Sequence, residues 1–381
     1  MKIIRKTTVI ILSALMLFSG LSLMTTAASA LESGDFEYTV KDGKAEITGY
    51  RSEDVSELVI PDEIDGFKVT SIGRFFVRLS NIEKVTIPEG VKKIKYWAFS
   101  DCKKLSEVNL PESLESIGDG AFYKTGIKKI TIPAKVKKLS GNPFSMCGSL
   151  MSIKVSADNA VYASKKGVVY SKEFDTLVAY PAGRDDSEFT VSGKVKTIGS
   201  SAFLGCKKLK KVTFKKGLKA IKSNAFERAG LKSLNLPSTV KKIGTEAFEG
   251  SKLKKVSFKG NSKLVMGARV FADCDSLIKV NLPVTKSCKG LTFEYCDNLK
   301  TVKISKKIKT IYKCDFLGCG KLREITVPKT VTKIGDNALG FLYEEEEYNA
   351  FFLGNLTIKG YKNSAAHKYA KKYSIKFKAI G

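Results

Sequence analysis

Eight cysteines, a single histidine and a large excess of lysine are the residues of this 381-residue chain whose types could do chemistry. Cys102, Cys147, Cys206, Cys274, Cys296 and Cys319 each stand three residues after a phenylalanine, and Cys288 stands five before Phe293. A thiolate can act as a nucleophile or metal ligand, and two thiols can close a disulfide. Nucleophilic use needs a base within hydrogen-bond reach, and the one histidine, His367, falls near the C-terminus. Neither H-E-x-x-H nor C-x-x-C occurs. Seven of the cysteines share the phase of apolar positions, where a free thiol behaves as a small hydrophobe; Cys314 lies off that phase. Buried thiols are therefore expected. A disulfide between neighbours such as Cys296 and Cys319 is the alternative, open if their Cβ atoms face each other.

Other motifs dissolve on inspection. Gly193-Lys194 has Val195 where a phosphate loop needs Ser or Thr, and no glycine five residues earlier, so it reads as a turn. Asp273 and Asp275 flank Cys274 without calcium-loop spacing. Glu344, Glu345, Glu346 and Glu347 form a run that reads as a solvated loop, with weak cation holding as the alternative. The sequence assigns no catalytic residue, no metal and no cofactor, and a degradative enzyme is the trailing reading.

The charge is one-sided. Lysine and arginine total 66 against 38 acidic residues, and only eight of the basic residues are arginine. Such a surface attracts polyanions and keeps a chain soluble; it says nothing about fold.

These residues sit in a repeated phrase. Phe76, Phe99, Phe122 and Phe144, then Phe203, Phe226, Phe248, Phe271, Phe293 and Phe316, recur at 22 or 23 residues, with Leu339 as an eleventh anchor and a gap of 59 between Phe144 and Phe203. Nine and eleven residues after each anchor come two apolar residues, such as Val108 and Leu110 or Val212 and Phe214. A proline often follows, then V-x-x-I, as at Val240 and Ile243. Alternating apolar positions predict a short strand that points two side chains inward. One such coil cannot enclose a core, so coils must stack. The fold class expected is mainly β with short turns: a leucine-rich-repeat solenoid of 22–23-residue coils, the period lying within the ~20–29 range of those repeats.

The same alternation names the outward residues. Those between or just before the inward pair include Lys84, Thr86, Lys129, Thr131, Lys154, Lys211, Thr213, Asn235, Lys255, Ser257, Lys279, Asn281 and Lys303. Stacked at ~4.8 Å per coil, they would form rows of lysines and small polar groups, a candidate ligand-binding strand face. Solubility explains Lys and Thr on exposed β-structure equally well.

The ends are distinct. Lys2, Arg5 and Lys6, the apolar run Val9 to Met24 and Ala28-Ser29-Ala30 predict a signal peptide, residues 1–30, cleaved after Ala30. Cleavage takes the formal charge from +28 to +25. The run is 16 residues, short of the ~20 that span a bilayer, and no transmembrane segment is expected in the mature chain. Residues 31–60 read as an N-terminal hairpin cap around Asp42-Gly43. Then come a repeat block at 61–155, an inserted hairpin island at 156–188 and a second block at 189–340. Residues 341–381 hold the acidic insertion and a C-terminal helix–strand cap that starts at Ser364.

The coil phrase with Ala-Phe and a trailing Cys, the island Gly167-x-x-Tyr170 with Leu177-x-x-Tyr180-Pro181, and the ending Tyr369-Ala370-Lys371-Lys372 with Ile375-Lys376-Phe377 together resemble BspA-like leucine-rich-repeat proteins of the Treponema pallidum repeat type. The resemblance covers nearly everything after residue 30. It implies a secreted or surface-associated bacterial binding protein, often an adhesin, and the family has no catalytic residues to carry over. No wall-anchoring module is recognisable, so the expected location is secreted, with wall association open. The partner implied is an extracellular protein, an anionic glycan or a cell-wall polymer. A specific nucleic-acid partner is not expected, because core-phase phenylalanines leave few rings to stack bases and arginine is scarce. A structural wall-associated spacer held by charge alone is the alternative function. Oligomeric state and ligand identity are not written in the repeat.

Overall fold

The computed structural model describes residues 30–52, 55–74, 81–258, 264–344, 349–352 and 354–380. Residues 1–29 of the predicted leader, Phe76 and the acidic residues Glu345 to Glu347 lie outside them.

Each coil contributes two short strands and one turn, where the sequence pattern foretold only the first strand. The V-x-I segments pair in parallel with their neighbours in the stack, as in Lys129–Ile132 with Ser152–Val155 and Ser233–Leu236 with Lys255–Phe258. The V-x-x-I segments form a second parallel ladder, running through Thr197–Ile198, Ala220–Ile221, Lys242–Ile243 and Leu264–Met266. The result is a mainly β solenoid in which Ala365–Lys372 is the one helix among the described residues. Of the second inward residues, Phe214, Phe258, Leu282 and Ile304 are half-buried rather than enclosed.

The anchor phenylalanines stack face to face along the axis. Successive ring centroids lie 5.3 Å apart for Phe99 and Phe122, 4.6 Å for Phe203 and Phe226, and 5.5 Å for Phe293 and Phe316. Such contacts add about 0.5–1.5 kcal/mol each beyond the area they bury. The turn around most of these rings uses left-handed backbone two residues before and two after it, as at Asn224 and Arg228 around Phe226. That conformation is unfavourable for L-residues. It is held by rung-to-rung bonds, for example Phe203 N–H to the Ala225 carbonyl and Phe226 N–H to the Ala247 carbonyl, both 2.7 Å. Gly205 takes one such position at φ 74°, where a Cβ would also lie 2.1 Å from the Met146 sulfur.

The cysteines close this network. Thiols of Cys147, Cys274, Cys296 and Cys319 donate to the carbonyls of Phe122, Phe248, Phe271 and Phe293 at 2.9–3.4 Å. All eight are free thiols. Cys314, off the repeat phase, is buried all the same at the left-handed position before Phe316, whereas Cys288 is half-buried.

Residues 162–179 interrupt the stack. Three strands, Tyr162–Lys165, Val168–Ser171 and Thr176–Ala179, form an antiparallel meander, one strand more than the expected hairpin. The last also pairs in parallel with Thr197–Ile198 and so restarts the second ladder. The meander divides two hydrophobic cores: Val168 belongs to the C-terminal one and Val169 to the N-terminal one.

Both ends are capped. The hairpin Phe36–Lys41 and Lys44–Tyr50 turns at Asp42 and Gly43, both with positive φ, and its second strand lies parallel to Phe67–Ile72. At the other end Ser364 caps the helix, and Lys376–Ala379 adds a final parallel strand against Thr357–Gly360. Tyr369 buries its ring there, and its hydroxyl accepts the Leu339 N–H at 3.0 Å. No described helix is long and apolar enough to cross a membrane.

Candidate ligand-binding face

Inward valines and isoleucines fix the strand orientation, so the residues beside them must point out. The face is built in sections. Glu57, Lys84 and Glu107 share one register, as do Val59, Thr86 and Asn109. Lys129 faces Ser152 and Thr131 faces Lys154. Glu188 faces Lys211 and Thr190 faces Thr213. In the longest section Ser233, Lys255, Lys279 and Thr301 form one row. Asn235 with Ser257, and Asn281 with Lys303, form the next. Lys84, Thr86 and Ser257 are half-buried; the other ten sequence-expected residues are exposed.

Their charges are unequally met. Lys84 pairs with Glu57 at 3.4 Å and Lys211 with Glu188 at 2.9 Å. Lys129, Lys154, Lys255, Lys279 and Lys303 have no acidic partner within 4.0 Å among the described residues. Lys255 and Lys279 are directly opposite each other, an arrangement that charge repulsion disfavours.

Sequence reading passed over a neighbouring column. Lys210, Lys232 and Lys254 stand one position before the strand face, exposed, each bonded through its backbone to the next at 2.9 Å. Their signal is a basic residue two before the first inward position, repeated at Lys128, Lys300 and Arg323. A further column, Lys196, Lys219 and Lys241, runs along the second ladder with bonds of 2.8 Å.

Carboxylates collect elsewhere, on the turn edge. Arg269 contacts Glu246 at 3.8 Å, Glu249 at 3.3 Å and Asp273 at 3.0 Å, and also Glu294. Asn224 bridges Glu227 and Glu246 at 2.9 Å each. Burial pushes Glu249 up to about 7 against the pull of Arg269, and raises Glu227 and Asp273 as well.

The groups weighed for chemistry are occupied structurally. His367 Nδ1 accepts the Asn363 N–H at 3.1 Å and its ring stacks on Phe377. Gly193 and Lys194 lie in the turn after Glu188–Val191. Burial pushes the Cys147 thiol up to about 11 and raises Cys206 and Cys319 further. Two recesses, of about 130 and 200 Å³, open beside Pro283, where Val256 and Val280 stand 24 residues apart and Val280 and Val302 only 22. Both fall short of the ~300–1,000 Å³ usual for small-molecule sites. An extended surface is what the arrangement offers.

Comparison with known proteins agrees with that geometry. A leucine-rich repeat protein of Eubacterium ventriosum has 24% identity and a TM-score of 0.61, covering 80% of this chain and 92% of its own. The pneumococcal vaccine antigen PcpA has 18% identity and a TM-score of 0.52, covering 93% and 99%. Among curated proteins no relative matches. The family model for the BspA type leucine-rich repeat region matches residues 70–170, 185–289 and 264–350 in six copies, and the chain belongs to that family.

Proposed function

We propose that this protein is a secreted or surface-associated binding module, adhesin-like and without catalytic activity, whose strand face engages an extracellular protein, glycan or wall polymer. The observation that carries the reading is the row Ser233, Lys255, Lys279 and Thr301. It is continuous and outward, and its lysines lack acidic partners among the described residues. A surface kept only for solubility has no need to place like charges in register. Membership of a repeat family fits, because leucine-rich repeats expose an extended face on a core that carries no site. In this proposal residues 1–30 are removed on export, and the two ends serve as caps.

The test is binding of the chain from Leu31 to bacterial wall sacculi, with and without teichoic acid, and to immobilised host matrix proteins across a salt series. Saturable binding to one of them that survives ~0.5 M salt is expected, since screening at that strength suppresses diffuse attraction. Binding that only tracks salt, or none, would leave a spacer held by charge.

A further inference from the structure

Between residues 188 and 303 the coil surface is divided by charge. From 207 to 258 the chain holds fourteen lysines and three glutamates. Those three, Glu227, Glu246 and Glu249, all lie on the turn edge, engaged by Asn224, Arg228 and Arg269. None is left for the strand side. There, Lys210, Lys232 and Lys254 run beside Lys211, Ser233, Lys255 and Lys279. The N-terminal block differs, because Lys84 is bonded to Glu57 and in register with Glu107. Acidic pairs also close this stretch at both ends, Glu188 with Lys211 and Glu324 with Lys359.

The chemistry between the lysines narrows the partner. Ser233, Asn235, Ser257 and Asn281 offer donors and acceptors, and no aromatic side chain points out among them. Phe214 and Phe258 turn inward, edge-on to Phe226 at 6.0 Å and Phe271 at 5.8 Å. Nucleic-acid bases would have nothing to stack on. The planar forks that grip carboxylate or phosphate two oxygens at a time are missing too, since no arginine lies on this face. Lysine instead meets one anionic oxygen as a point charge, which suits a strong-acid ester on a flexible chain.

We propose that the strand face of residues 188–303 binds a linear sulfated polysaccharide lying along the solenoid axis. Sulfates would meet Lys210, Lys232, Lys254, Lys255 and Lys279, and sugar hydroxyls would meet the Ser and Asn side chains. The inference rests on the strand-face reading above and confines it to six strands and one ligand class.

Titration of the chain from Leu31 with dextran sulfate, unsulfated dextran and linear polyphosphate tests it. One variant carries Lys232→Glu, Lys254→Glu, Lys255→Glu and Lys279→Glu. A second, with the same net charge, carries Lys128→Glu, Lys129→Glu, Lys137→Glu and Lys138→Glu. A Lys→Gln version of the first serves if the glutamates, opposed at 255 and 279, prevent folding. Dextran sulfate affinity is expected to fall about a hundredfold in the first and under about threefold in the second, charge near a polyanion being worth roughly tenfold per lysine at most. Unsulfated dextran should not bind. Equal losses in both variants, tighter binding of polyphosphate, or no binding of dextran sulfate would each overturn the proposal. If sacculi or matrix proteins still bind and the first variant abolishes it, the ligand class is wrong and the strand-face reading stands.

Discussion

Tyr180 stacks on Phe203, 23 residues later, with ring centroids 4.9 Å apart. It stacks and bonds as an anchor phenylalanine does, although neither Val178 nor Ala182 takes the left-handed backbone that flanks Phe226. Its N–H donates to the Ala202 carbonyl at 2.8 Å, and its own carbonyl faces the Cys206 thiol at 4.0 Å. The hydroxyl is new, donating to Asp186 at 2.6 Å, with Arg184 on the same carboxylate. The gap of 59 residues thus holds a hidden anchor. Tyr180→Ala should lose about 3–5 kcal/mol in urea unfolding, as for other large buried aromatics. Tyr180→Phe keeps the stack and should lose about 1–3 kcal/mol, the worth of a hydrogen bond to a charged group. An alanine variant within ~1 kcal/mol of the parent would show that the column does not depend on this ring.

The meander should isolate the two cores from each other. Val168 belongs to the same core as Leu177 and Tyr180, and Val169 to that of Val155 and Ala179. In a stacked protein each unit is stabilised mainly by its neighbours, so damage spreads along one core first. Val169→Ala is expected to raise amide exchange chiefly before residue 160, and Val168→Ala chiefly after 180, each by about 2 kcal/mol of local opening. Hydrogen exchange read by mass spectrometry checks this. Equal loosening of both halves by either variant would mean a single cooperative core.

How much of this the sequence holds depends on what dictates each residue. Core positions such as Phe226, Leu234 and Ile243 are legible because burial demands an apolar side chain at every repeat, so the period survives any variation outside it. Tyr180 is legible as part of the island pattern but not as an anchor, because the repeat is written in Phe and this ring carries a hydroxyl. The lysine column at 210, 232 and 254 is equally regular, but alternation singles out only residues flanking the inward pair. Glu227, Glu249 and Glu294 each stand one residue after an anchor phenylalanine, with Glu246 two before Phe248 and Asp273 two after Phe271. Only the stacking of consecutive turns brings them to Arg269, and no pattern within one coil could show it.

Native thiol chemistry should be confined to one side chain. Six cysteines at the recurring position are almost wholly enclosed, and the thiols of Cys147, Cys274, Cys296 and Cys319 donate into the phenylalanine turns. Cys288 is half-buried, bonded to Thr292 at 3.2 Å, and its own thiol is raised by burial and by Asp315. Slow alkylation at Cys288 before any other site is expected at pH 7.5, with the rest reacting only on unfolding. Peptide mapping after a timed pulse decides. Early labelling of Cys296 or Cys319, or a disulfide between them, would contradict the enclosed column.

Stability should fall as pH rises through the range of Glu249. Its ordinary value is 4.5, and burial lifts it to about 7 in the folded protein. The native state therefore holds a proton that the unfolded chain has released. Its stabilising effect is complete below pH ~4.5 and is lost by pH ~7, the sign that linkage gives for a raised carboxyl group. Glu227 and Asp273, also raised by burial, act in the same direction. A loss on the order of 3 kcal/mol between pH 5 and 8 follows from the Glu249 shift. Glu249→Gln should flatten that slope, measured as urea midpoints at both pH values. Arg269→Ala should steepen it, because removing the guanidinium leaves Glu246, Glu249, Asp273 and Glu294 facing one another without their cation. Its loss should reach about 3–5 kcal/mol at pH 8, typical of a buried pair broken from one side, and be smaller at pH 5 where protons substitute. If Arg269→Ala were equally destabilising at both pH values, the cluster would be holding shape by contact alone and its charges would not matter.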